Sequence, residues 1–172
     1  MQASVIGVRA RVAGCSVVFR PMPETVVAWI LSGTEKYSDV FIRFNDGVDA
    51  GITQQDGVYL EQLDGTNALS LDNLIENHGY DVIEVQANEE QVGRIKAYFH
   101  DKIGKCVGYS TLRTVTGCDL FACCTSGGAG LNVTAPELVA GALLWGGVIP
   151  QGQCRNPSQL SFMDLYQLLE RR

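Results

Sequence analysis

The chain has 172 residues, 46% of them hydrophobic, which is enough for one domain with a sizeable core, and we expect a single domain over residues 1–172. Its formal net charge of −6 argues against nucleic-acid binding, which requires clustered lysine and arginine. Arg9 and Arg11 interrupt the region where a secretory signal would be apolar, and no apolar run reaches the roughly 20 residues that span a bilayer, so the sequence predicts a cytoplasmic protein without a transmembrane segment.

The first half of the chain predicts short strands that pair antiparallel. Apolar runs and polar–apolar alternation predict strands at residues 17–20, 39–44, 57–63 and 80–85. Asn45-Asp46-Gly47 favours a turn after the second of these strands. Pro23 begins a helix that Gly33 ends, and residues 69–75 predict a further short helix.

The second half predicts three helices, the first and the last of them amphipathic, and an undecided segment after the first. Asn88 caps the first helix, which runs to Gly104, and the last helix covers residues 161–169. Between residues 104 and 130 the chain is rich in Gly, Cys and Thr, and its periodicity does not decide between a loop, a strand and a buried turn. The helix between them extends from Ala135 to about Trp145.

The start of that helix is a position at which a cysteine would be reactive. Thr134 and Glu137 form a capping box, which places Ala135 at the first helical position. A thiol there would be activated by the positive end of the helix dipole, because the dipole favours thiolate over thiol. The methyl group of alanine cannot perform this chemistry.

The cysteine and histidine content argues against a metal site. The chain has six cysteines without a C-x-x-C pair, and only two histidines. In a reducing compartment thiols stay free, so we expect unpaired cysteines, no metal and no other cofactor.

The order of the elements and two local motifs resemble the circularly permuted papain-like hydrolases of the NlpC superfamily, which occur in bacteria and in large DNA viruses. In that family a strand reads Tyr-Ser-His-Val and the nucleophile opens a helix as Cys-Ser-Glu-Leu-Val-Ala. This chain has Tyr-Ser-Asp-Val at residues 37–40 and Ala-Pro-Glu-Leu-Val-Ala at residues 135–140. The resemblance covers roughly residues 15–170. It implies an α+β, papain-like (permuted NlpC-type) fold with an antiparallel sheet or small barrel packed against helices.

The resemblance also implies roles for three residues. Ala135 stands at the position of the nucleophilic Cys, Asp39 at the position of the general-base His, and Glu61 at the position of the orienting residue. A carboxylate is a poor substitute for imidazole, since it does not normally titrate near neutrality. We expect the three side chains to meet across one groove.

The function implied is that of a thiol hydrolase, a peptidase or amidase that forms an acyl-enzyme with a peptide, isopeptide or acyl substrate. The chain is such an enzyme if residue 135 is natively Cys, and Ala135 fits an engineered replacement as well as a natural inactive form. The first alternative is a catalytically inactive binding or structural module, and Asp39 favours it. The second is a lipid acyltransferase or phospholipase of the permuted fold.

Each candidate residue also has a simpler interpretation. Ala135 is a good helix former, Glu61 fits a solvated strand position, and Asp39 fits a turn. Cys118, which follows Gly117, is an alternative nucleophile, but no helix cap precedes it.

Overall fold

The computed structural model describes residues 14–23, 36–53, 57–63, 69–103, 107–109, 131–154 and 156–172. In these residues the strands are β1 (Gly14–Pro21), β2 (Tyr37–Phe44), β3 (Val48–Thr53), β4 (Gly57–Gln62), β5 (Asp81–Gln86), β6 (Val107–Tyr109) and β7 (Leu131–Val133). The helices are α1 (Leu71–His78), α2 (Glu89–Lys102), α3 (Ala135–Trp145) and α4 (Phe162–Glu170). A short 3-10 helix at Pro157–Gln159 precedes α4.

Five of these strands form one open antiparallel sheet. Its strand order is β4-β3-β2-β1-β5, so β1 lies between β2 and β5, and each neighbouring pair runs antiparallel. Strands β6 and β7 form a separate parallel pair. The expected α+β class with an antiparallel sheet and helices is confirmed, and the sheet is open rather than closed into a small barrel.

One face of the sheet carries the hydrophobic core. Alternate residues of each strand point to this face because the side-chain period of a strand is two. The buried strand residues of the core are Cys15, Val17, Phe19, Tyr37, Val40, Ile42, Phe44, Ala50, Ile52, Val58 and Val85. Helices α2 and α3 pack over the sheet and contact each other, and α4 contacts β2. This helix-covered side is called the helix face below, and the opposite side the second face.

The second face is also partly covered. Val18 alternates with Val17 and Phe19, points to the second face and is fully buried. The segment before α1 reaches this face, because Arg43 donates a hydrogen bond of 2.5 Å to the carbonyl of Leu69. The inner strand β1 is therefore buried on both faces over most of its length.

A β-bulge interrupts the pairing of β1 with β2. Arg20 pairs with Asp39 and Pro21 with Tyr37, so Ser38 is the extra residue. Without the bulge Tyr37 would point to the second face together with Asp39. With it, Tyr37 turns into the core on the helix face, where it is 1% exposed.

Several predicted elements are confirmed with shifted ends, and two strands, β3 and β7, were not predicted. Strand β3 was not predicted, because Asp49, Ala50 and Gly51 have low strand propensity and only pairing with β2 and β4 orders them. The helix predicted between Pro23 and Gly33 lies almost wholly outside the described residues. Apart from β6, the undecided segment of residues 104–130 also lies outside the described residues. The alternative nucleophile Cys118 belongs to that segment.

A buried ion pair fixes strands β2 and β3 on the second face. Arg43 donates two hydrogen bonds of 2.8 Å to the two carboxylate oxygens of Asp49. The two side chains are only 13% and 10% exposed. Such a bidentate pair satisfies both groups, and loss of either partner would leave a buried charge without compensation.

We predict that Arg43→Met lowers the free energy of unfolding by about 3 kcal/mol, because Asp49 would keep a buried charge. Urea denaturation at neutral pH measures this loss. The matched control is Lys96→Met, which removes the partner of Asp46 from a pair whose side chains are 24% and 56% exposed. There we expect a loss of less than about 1 kcal/mol. Equal losses in the two variants would contradict the role assigned to Arg43.

Candidate functional site

The N-terminus of α3 has the predicted capping box. The Thr134 hydroxyl accepts a hydrogen bond from the Glu137 N–H at 3.3 Å, and the Glu137 carboxylate accepts one from the Thr134 N–H at 3.5 Å. Ala135 is the first residue of the helix and Pro136 the second. The local prediction for this helix start is confirmed, since it depended only on neighbouring residues.

The side chain at position 135 is fully buried. Ala135 is 0% exposed and belongs to the hydrophobic core on the helix face, with Leu138 and Val139 of the same helix. Apolar burial disfavours a thiolate, and the chain offers a direct comparison: burial raises the pKa of the Cys15 thiol to about 12. At position 135 burial would likewise raise the pKa of a thiol, and this would oppose the lowering of that pKa by the helix dipole.

Asp39 and Glu61 lie on the second face of the sheet. Asp39 alternates with the core residue Val40 on β2 and pairs with Arg20 across the sheet. Glu61 pairs with Asp49 on β3 and is exposed. Both carboxylates therefore point away from the core that contains Ala135.

This arrangement differs from the expectation of one shared groove. The structure brings Asp39 and Glu61 to the same face and places Ala135 beneath the other. The physical reason is strand alternation: Val40 and Leu60 pack with the helix-side core, so their neighbours Asp39 and Glu61 must face the opposite way. The roles that the resemblance gives to the three residues remain predictions.

Asp39 has an unusual electrostatic environment. Burial raises its pKa to about 6, although a 2.8 Å hydrogen bond from the Val40 N–H and the charge of Arg20 both act to lower it. A carboxyl group with this pKa exchanges its proton near neutral pH. This is a property of acid–base groups and of proton-sensitive binding sites.

Tyr59 lies on the same face of the sheet as Asp39 and was not predicted as a site residue. Its ring extends across Gly51 on β3, where an added Cβ would stand 2.8 Å from the phenol oxygen and 3.1 Å from Cβ of Phe41 on β2. Burial raises the pKa of Tyr59, and the carboxylates of Asp39, Asp49 and Glu61 add to this effect. The phenol therefore stays protonated. The signal in the sequence was Gly51, since a glycine within a strand often marks a close approach.

The second face thus combines a carboxyl group that titrates near neutrality, a phenol and an exposed carboxylate. These groups can donate and accept hydrogen bonds and can hold a positive charge. Among the residues that the structure describes, no group of three or more His, Cys, Asp and Glu side chains could hold a metal ion. In the same residues, no helix is both long and apolar enough to cross a membrane.

Comparison with known proteins finds no family model that matches the chain, no matching curated protein and no matching solved structure.

We predict that the stability of the protein falls as the pH rises from 3.8, the ordinary pKa of the Asp side chain, to about 6. The folded protein holds the proton of Asp39 more tightly than the unfolded chain, so unfolding in this window releases a proton. The stabilisation by the Asp39 proton is complete below pH 3.8 and is lost as the pH rises through about 6. Asp39→Asn should remove this pH dependence and raise the free energy of unfolding at neutral pH by on the order of 1 kcal/mol, after allowance for solvent screening.

Urea denaturation across this pH range measures both effects, with Glu61→Gln as the control that removes an exposed carboxylate from the same face. Burial alone would raise the pKa values of Asp46 and Asp81, but it is outweighed by the combined effect of the hydrogen bonds to each carboxylate and the charge of Lys96 or Lys36, which together hold both pKa values below 3.8. The stability that these two groups add is lost only at lower pH, outside the window. A pH profile that Asp39→Asn leaves unchanged would refute the assignment.

Proposed function

We propose that the protein is a catalytically inactive binding module built on a papain-like fold of the permuted NlpC type. The observation that carries this proposal is the burial of the Ala135 methyl in the core, on the face opposite Asp39 and Glu61. Nucleophilic catalysis by a cysteine requires a thiolate within hydrogen-bond reach of a base. Position 135 supplies no nucleophile, and the residues at the two other positions point away from it.

The groups on the second face support a peptide as the ligand. Asp39, Tyr59 and Glu61 offer acceptors and a phenol donor, which match the N–H and ammonium groups of a peptide. The chain's net charge of −6 favours a neutral or basic peptide over an anionic ligand, because complementary charge speeds association and like charge opposes it. Binding of this kind requires no chemical step.

A thiol hydrolase, a peptidase or amidase with Cys at position 135, is the second candidate. One observation favours it: α3 begins at Ala135 behind a complete capping box. In the first turn of α3 only the Ala135 N–H lies outside the cap, because Pro136 has no N–H and the Glu137 N–H is bonded to the Thr134 hydroxyl. That single backbone donor could stabilise a developing oxyanion. Such an enzyme would need the first turn of α3 to become accessible to substrate.

We predict that an introduced thiol at position 135 reacts slowly. Ala135→Cys should be labelled by iodoacetamide no faster than the native cysteines, because the site is buried and apolar. The matched control is Glu89→Cys, which places a thiol at the first position of α2, also behind a capping box, but exposed. Labelling rates followed by mass spectrometry compare the two positions directly.

Labelling of Ala135→Cys at or above the rate of Glu89→Cys would reject the inactive-module proposal and favour the hydrolase. Adding Asp39→His to Ala135→Cys tests the base position in the same way. We expect no gain in labelling rate or in ester hydrolysis, because residue 39 faces away from residue 135. A gain that depends on both substitutions would establish a catalytic pair.

A further inference from the structure

Three aromatic rings cluster where β1, β2 and α4 meet on the helix face. The ring centroids of Phe19 and Tyr37 are 5.0 Å apart, those of Phe19 and Tyr166 are 5.3 Å apart, and those of Tyr37 and Tyr166 are 5.5 Å apart. Phe19 and Tyr37 are buried, whereas Tyr166 is half-buried. The β-bulge at Ser38 is what turns Tyr37 into this cluster.

The ammonium group of Lys36 lies against two of these rings. Its Nζ atom is 5.0 Å from the centroid of Tyr37 and 5.9 Å from that of Tyr166. It also donates a hydrogen bond of 2.6 Å to Oδ2 of Asp81, at the start of β5. A cation over aromatic faces is attracted by their negative π-electron density, and the carboxylate adds a charge-assisted hydrogen bond.

Asp81 is held in place independently of Lys36. The phenol of Tyr37 donates a hydrogen bond of 2.5 Å to the same Oδ2 atom. Burial would raise the pKa of Asp81, but the bonds from Lys36 and Tyr37 hold it below the ordinary value, so the carboxylate is charged at neutral pH. The Tyr37 hydrogen bond therefore remains to hold the carboxylate when Lys36 leaves.

We propose that Tyr37, Tyr166 and Asp81 form a binding site for a primary alkylammonium group, such as the side chain of a lysine in a partner peptide, and that Lys36 occupies this site in the free protein. Lys36 shows by its own contacts that the site accepts the head group of a lysine. The site combines the two groups that recognise an ammonium ion, an aromatic face and a charged acceptor.

The site is open to an exchange of this kind. The side chain of Lys36 is 58% exposed and that of Asp81 is 35% exposed, so an incoming ammonium can approach from solvent. An ion pair this exposed contributes little to stability and is held by a flexible side chain, so displacing it costs little. Because Lys36 competes from within the molecule, it lowers the apparent affinity for an external amine.

This inference does not rest on the function proposed for the region around Ala135. The ammonium site would serve an inactive module or an enzyme equally, and thiol labelling at position 135 does not report on it. A simpler interpretation is that Lys36 only links β2 to β5. The two interpretations differ in what happens when Lys36 is removed.

The test is a titration of the full chain with n-butylammonium chloride, a mimic of the lysine side chain, followed by the NMR amide shifts of Asp81 and Tyr166. We expect saturable binding to Lys36→Ala and binding up to about fivefold weaker to the wild type, where the exposed Lys36 pair competes. Adding Asp81→Asn to Lys36→Ala should abolish binding. Tetramethylammonium, which has no N–H donor for Asp81, should bind Lys36→Ala more weakly than n-butylammonium.

The matched control is Lys102→Ala, which removes an ammonium that lies 4.2 Å from the ring centroid of Tyr98 on α2. It should bind n-butylammonium like the wild type, and sodium chloride at equal concentration should cause none of these shifts. Equal affinities of Lys36→Ala and the wild type would overturn the proposal, as would equal binding of the two amines. If Lys36→Ala does not fold, Lys36→Gln takes its place, and the proposal is accepted or rejected on the same comparisons.

Discussion

The antiparallel pairing of β1 with β2 is the interaction on which the rest of the structure depends. It runs from Cys15 with Phe44 to Arg20 with Asp39 without interruption. Because the side-chain period is two, this register decides the face of every residue along β2. A slip by one residue would move Val40 and Ile42 to the second face and place Asp39 and Arg43 in the apolar helix-side core, where their charges would lack partners at a large cost in free energy. The pairing is therefore strongly specified, and it sets the faces of Asp39 and Arg43 and, through the bulge, that of Tyr37.

The two faces of the sheet consequently carry different chemistry. The helix face is apolar near the start of α3 and is a poor environment for a thiolate at residue 135. The second face carries Asp39, Tyr59 and Glu61 beside the neutralised pair of Arg43 and Asp49. Proton exchange and hydrogen bonding are available there, but no nucleophile from the start of α3 faces them. This separation is the reason for proposing a binding role in place of acyl transfer.

The bulge at Ser38 links these two regions. Because of the bulge, two side chains of one strand that are two residues apart point to opposite faces: Asp39 to the second face, and Tyr37 to the helix face, where it lies under Lys36. In the sequence, Tyr37 and Asp39 are spaced as neighbours on one face of a regular strand. The alternation pattern could not reveal the bulge, because an extra residue in a strand is defined by its partner strand. The same limit explains why the ammonium site, which joins Lys36 to Asp81 and Tyr166, left no local signal.

The sequence by itself determined the helices α2 and α3 and their starting residues, because capping boxes such as Asn88 with Gln91 are made by residues three apart. It also determined the strands with clear alternation and the α+β class. Only the tertiary structure decided that Val48–Thr53 is a strand, that Tyr59 crosses Gly51, and that Ala135 lies on the face opposite Asp39 and Glu61. These features depend on contacts between residues far apart in the chain, whose energies outweigh local propensity and leave no mark in a short window of sequence.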